Sequence, residues 1–257
     1  MKHPEVKHLY KYLPVNYAED LFYKGKVHFK NAAYFCSIEE DGIRGDKHDG
    51  SEIFNNTITI KNPSGVQAVP GKAYTVRSQQ ELKTTYIFCV SKILSPDLFD
   101  KFDSNCCVTI KDIDEFKNRI INNTNRINLD RKIGVPSSIT QKTREISFEI
   151  SFETNLICDD ITYFDDSEIV EKITIETDIR QKFFHKRKSL YVWQEEYRFL
   201  LEPKGGITTN CLKEDMELLS KIKSRNPQFT FDVFPKAINV DIGSIEDIAE
   251  IKIAKKK

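Results

Sequence analysis

The chain has 257 residues, with 39 % hydrophobic and 30 % charged positions, which is the composition of a polar globular protein large enough to bury a core. Lys plus Arg and Asp plus Glu balance at 39 each, so net charge supplies no global pull toward nucleic acid or an anionic membrane. No apolar run reaches the ~18–20 residues of a spanning helix, and the start Met1-Lys2-His3-Pro4 lacks the apolar segment of a signal peptide.

In chain order, a short strand is expected at Leu9–Tyr12, then a helix closed by Gly25, then a second strand through Phe29. Residues 39–52 hold three glycines among dense charge and read as a loop. Ile53–Ile60 reads as a strand, and 61–72, with two prolines and two glycines, as a turn-rich connection. Tyr86–Ser91 is apolar throughout and is predicted to be a central strand. Pro96 opens a helical turn to Phe102, and Cys106–Ile110 is another buried strand. Asp112 is placed to cap a helix whose Ile113, Phe116, Ile120 and Ile121 share a face. Residues 124–144 carry no clear pattern. Ile146–Phe152 alternates strictly, and Ile157–Phe164 continues the sheet. A helix is expected over Ile169–Phe184 and another over Lys213–Arg225, with closing strands at 229–242 and 248–254. Strands and helices mix without a βαβα rhythm. The expected fold is therefore a single α+β domain over 1–257, with a mixed, largely antiparallel sheet and packed helices.

The stretch 183–201 is the most informative. Lys182, His185, Lys186, Arg187 and Lys188 form a basic cluster, which suits either a solvated helix end or a phosphate contact. A strand is predicted from Leu190 to Leu201. Its parity puts Tyr191, Trp193, Glu195, Tyr197, Phe199 and Leu201 on a core face. Val192, Gln194, Glu196, Arg198 and Leu200 take the other face, which reads as a cleft wall or as a half-exposed face with neutralised charges. Glu196, rather than Glu195, is then the functional carboxylate. The six cysteines include no C-x-x-C pair and suit reduced, structural thiols in a cytoplasmic protein. No local metal motif occurs. The acidic loop reads as solvated, or alternatively as a metal-dependent nuclease site built on Asp41, Asp46, Asp49 and Glu52.

Five pieces resemble the bacterial domain-of-unknown-function family 2971. They are Leu9-Tyr10-Lys11-Tyr12, Arg44–Gly50, Phe88-Cys89-Val90-Ser91-Lys92, Trp193-Gln194-Glu195-Glu196-Tyr197-Arg198 and Phe234–Ile238. The family-like elements run from 9 to 254. Leu98–Phe102 stands where that pattern has Trp-Ser-His-Tyr. Gln194-Glu195-Glu196 is also similar to the Q-x-E element of ADP-ribosyltransferases, and Ser91 to their serine-bearing strand. That resemblance implies NAD as cofactor, with Glu196, Gln194 and Ser91 as catalytic positions. It also implies Tyr10, Lys11 and Arg198 as cofactor-binding positions, Lys11 standing where the family has a basic residue or His. A carboxylate there would stabilise the positive charge that develops on ribose as nicotinamide leaves. The acceptor would be a protein or nucleic acid, in a phage-defence or toxin setting. The alternative from a different class is a non-catalytic sensor that binds a nucleotide, another small molecule or a protein through the same face.

Overall fold

The computed structural model describes residues 6–38, 52–54, 57–62, 65–70, 74–76, 79–135, 144–164, 183–225 and 232–254, with the backbone alone over 52–80 and at 164 and 187. The elements run β1 (Leu9–Leu13), α1 (Val15–Lys24), β2 (Lys26–Asn31), α2 (Ala32–Ser37), β3 (Glu52–Phe54), β4 (Thr57–Asn62), β5 (Gly65–Pro70), β6 (Tyr74–Val76) and α3 (Gln79–Thr84). They continue as β7 (Tyr86–Ser91), α4 (Pro96–Lys101), β8 (Cys106–Ile110), α5 (Ile113–Thr124), β9 (Arg126–Val135), β10 (Arg144–Asp160), β11 (Thr162–Phe164) and β12 (His185–Arg187). Last come α6 (Lys188–Tyr191), a 3-10 turn (Val192–Gln194), β13 (Glu196–Pro203), β14 (Thr208–Cys211), α7 (Lys213–Arg225), β15 (Ala237–Asp241) and β16 (Ala249–Ile253).

The expected α+β class holds. Among the described residues a ten-stranded sheet has the order β14-β10-β13-β7-β1-β8-β16, with β9 beside β10, β2 beside β7 and β15 beside β2. Its pairings are antiparallel. Strand β7 is central because both of its faces are apolar. Tyr86, Phe88 and Val90 enter the main core, while Ile87 and Cys89 meet a second cluster with Ala32, Leu82, Phe183, Phe184 and Leu200. Helix α1 lays Ala18, Leu21 and Phe22 on the main core and stops at Gly25. Gly25 has φ +63°, and a Cβ there would lie 1.8 Å from the Gly243 carbonyl oxygen, so the position admits only glycine. Helix α5 starts where the Asp112 side chain accepts from the Glu115 amide. Its Phe116 and Ile120 are buried, whereas Ile121 is exposed.

Several expectations are corrected. Residues 124–144 contain β9, whose Ile127, Leu129, Ile133 and Val135 alternate toward the core. The connection 61–72 contains β5, paired with β4 as a hairpin. The strands predicted at 146–152 and 157–164 are largely one 17-residue strand, β10. Residues 169–182 of the predicted helix and most of loop 39–52 lie outside the described residues. The strand predicted from Leu190 begins only at Glu196. Before it the chain forms α6, the 3-10 turn, and Glu195 in the left-handed region at φ +43°. Tertiary hydrogen bonds override the local strand propensity there. The Ser91 hydroxyl donates to the Gln194 carbonyl and the Lys92 amide donates to the Glu195 carbonyl, while within the stretch Trp193 Nε1 donates to the Leu190 carbonyl. Trp193 is therefore outside the main core. It is half-buried, 5.5 Å from the Phe102 ring and beneath the Lys101 ammonium.

No helix among the described residues is long and apolar enough to cross a membrane.

Candidate functional site

From Glu196 onward the expected parity is observed. Tyr197, Phe199 and Leu201 face the main core, and Glu196, Arg198 and Leu200 face the other side. On that second side, β13, β7 and β1 lie next to one another. Glu196 pairs with Ser91, and Ser91 pairs with Tyr10. Directly paired residues in neighbouring strands share a face. Glu196, Ser91 and Tyr10 thus form one row across three strands. The row continues through Thr109 on β8 to Glu250 on β16. Lys11 follows Tyr10 and so points the opposite way. Its ammonium donates to the Cys89 carbonyl and lies 4.5 Å from the centre of the Phe88 ring, on the main-core side. Of the two neighbours expected to hold a cofactor, only Tyr10 lies on the face of Glu196.

Gln194 joins the site by a different route from the one expected. It sits in the 3-10 turn, not on the strand, and is pinned there by the bond from Ser91 to its carbonyl. The Ser91 oxygen also accepts from the Ile93 amide. Serine at this position ties the end of β7 to the turn that precedes β13.

Glu196 is the electrostatic centre. Arg198 Nε donates to its Oε1 at 2.6 Å, and the Lys186 ammonium lies 2.7 Å from its Oε2. Lys186 also donates to Gln194 Oε1 at 3.3 Å and stands 4.8 Å from the centre of the Tyr191 ring. Arg198 reaches on to the Phe183 carbonyl at 2.6 Å. The Glu196 amide donates to the Tyr163 hydroxyl. Burial pushes the Glu196 carboxyl upward, but the Arg198 guanidinium and Lys186 ammonium outweigh it and hold the group well below the usual carboxylate range. Burial and the adjacent Glu196 push the Cys89 thiol up to about 12. Glu196 is therefore a permanent anion near neutral pH. It can stabilise positive charge and cannot donate a proton.

The site is closed. Relative exposure is 3 % for Ser91, 3 % for Lys186, 5 % for Gln194, 2 % for Glu196 and 1 % for Arg198. The cleft wall expected from sequence is an interior layer beneath Phe183–Lys186 and β11, to which β12 pairs in parallel. Tyr10 is only half-buried, and an open groove of about 670 Å³ starts there, lined by His8, Leu94, Thr109, Lys111, Glu250 and Lys252 among others. Lys111 and Glu250 form an ion pair across this groove.

Lys186 is the member that sequence reasoning missed. In the sequence it belongs to the basic cluster with Lys182, His185, Arg187 and Lys188, which suits a solvated helix end or a phosphate contact, yet it is a buried partner of Glu196. Tyr163 and Tyr191 were missed as well, because nothing local marks an aromatic residue as a neighbour of a carboxylate. Asp41, Asp46 and Asp49 lie outside the described residues, as does the side chain of Glu52. Among the described residues no group of three His, Cys, Asp or Glu side chains is arranged to hold a metal ion.

Comparison with protein-family models, with curated proteins and with solved structures found no match.

Proposed function

We propose that the protein is an ADP-ribosyltransferase-like enzyme that binds NAD over the sheet face carrying Tyr10, Ser91 and Glu196 and passes ADP-ribose to a protein or nucleic-acid acceptor. The observation that supports this reading is the row itself. Residues 10, 91 and 196 are far apart in the chain, yet they stand side by side in register. Gln194 lies against the same carboxylate through Lys186. In this reading the groove beginning at Tyr10 holds part of the dinucleotide. Glu196, ionised and shielded from water, stabilises the positive charge that develops on ribose as the glycosidic bond to nicotinamide breaks. Tyr10 takes the place in the row where the resemblance has a basic residue or His, and this is the point at which the chain departs from it.

The burial of Glu196 between two cations favours a second reading, a non-catalytic module that senses a nucleotide or small molecule through the same face. Nicotinamide release separates the two. Purified protein incubated with NAD, with and without a cell extract as the acceptor source, is expected to release free nicotinamide. Glu196→Gln, compared at equal folded concentration, is expected to release none. NAD binding seen by calorimetry without nicotinamide release would replace the enzyme reading with the sensor reading. Absence of both binding and release would remove the enzyme reading and NAD as the ligand of the sensor reading.

A further inference from the structure

Three groups converge on the Lys186 ammonium: the Glu196 carboxylate at 2.7 Å, the Gln194 amide oxygen at 3.3 Å and the face of Tyr191 at 4.8 Å. A carboxylate, a neutral oxygen acceptor and an aromatic face are the groups that recognise a cationic part of a ligand. Lys186 reaches this point on β12, a three-residue strand whose sole sheet partner among the described residues is β11. Other contacts join it to the body of the protein. The Thr162 amide donates to the Phe184 carbonyl, Arg198 donates to the Phe183 carbonyl, and Phe183 and Phe184 pack in the smaller apolar cluster. Strands β7 and β13, which carry Ser91 and Glu196, are instead held by ladders on both sides. Glu196 and Gln194 thus belong to the sheet and to the turn fixed to it, and Tyr191 to α6 just before that turn, while the cation belongs to a strap with one strand partner among the described residues.

We propose that the Lys186 position is a cation subsite filled from within, and that a cationic group of the ligand takes it when the strap Phe183–Arg187 lifts. The inference rests on reading this face as a ligand site, and it adds the charge of the ligand group and the element that must move. A tethered occupant competes with an effective concentration of order millimolar. A free amine at low millimolar concentration therefore competes poorly in the wild-type protein. Once the tethered ammonium is removed, the same amine meets an empty, preformed subsite.

Two measurements test this without NAD, so their failure is distinct from failure of the enzyme reading. In Lys186→Ala, n-butylammonium chloride should raise the melting temperature saturably. Sodium chloride and n-butanol at equal concentration should not, and adding Glu196→Gln should abolish the effect. If Lys186→Ala does not fold, the same comparison is read as the folded fraction recovered on refolding. A response to butanol equal to that to butylammonium, or to neither, overturns the cation subsite. In the wild-type protein, amide exchange at Thr162 and across 183–187 should be at least tenfold faster than in β7 and β13. Exchange of all these amides at one common rate would mean that the strap opens only on global unfolding, and would overturn the proposal.

Discussion

Replacing Glu196 by Gln keeps the size and shape of the side chain and removes its charge. Lys186 and Arg198, both at most 3 % exposed, then face an amide in place of a carboxylate. Removing one partner of a buried ion pair typically costs about 3–5 kcal/mol, because the remaining charge is left without compensation. At 2–4 °C per kcal/mol for a chain of this size, the melting temperature should fall by roughly 6–20 °C. Urea unfolding followed by far-UV circular dichroism at pH 7.5 measures the loss. Glu195→Gln is the control. Glu195 is 43 % exposed, 3.7 Å from Lys92, and its removal should cost under about 1 kcal/mol. The acid limb adds a second check. The folded-state pKa of Glu196 is depressed, so its contribution is fully present above the ordinary glutamate value near pH 4.3 and is lost as the pH falls from there through the folded value. Wild type should lose stability on acidification below that value more steeply than Glu196→Gln. A variant within about 1 kcal/mol of wild type, with the same acid slope, would refute the view that Glu196 holds two buried cations.

Gly25→Ala should destabilise by more than about 2 kcal/mol in the same urea assay, because it combines a left-handed backbone with a Cβ driven into the Gly243 carbonyl. Trp193→Ala should cost about 1–3 kcal/mol, less than the ~3–5 kcal/mol of a fully buried aromatic residue, since the ring is half-buried against Phe102; a melting temperature unchanged from wild type would show that this contact contributes nothing. All six cysteines are free thiols in the structure, so intact-mass analysis after alkylation in denaturant, without reductant, should count six adducts. Under native conditions at pH 8, peptide-resolved labelling should find Cys89 slow, because little of it is thiolate.

Several elements are legible because they depend on neighbours along the chain. The apolar run Tyr86–Ser91, the Gly25 stop, the Asp112 cap and the alternation of Ile146–Phe152 each name their element, because propensity, capping and periodicity are local properties. Strand β9 left a weaker trace, since Arg131 interrupts the alternation of Ile127, Leu129, Ile133 and Val135. The stretch 188–195 misled for the opposite reason. Its Tyr, Val and Trp favour a strand, but bonds from Ser91 and Lys92, about a hundred positions earlier, bend it into a turn.

Sequence alone determined the α+β class and the parity of Glu196 and Arg198 against Tyr197 and Phe199, because side chains alternate on any strand. Tertiary structure alone decided which strands became neighbours. That choice set Tyr10 beside Ser91 and Glu196, turned Lys11 to the other face, and buried Lys186 against the carboxylate. Strand register is set by packing between segments distant in the chain, and a carboxylate carries no local mark of the cation that will neutralise it.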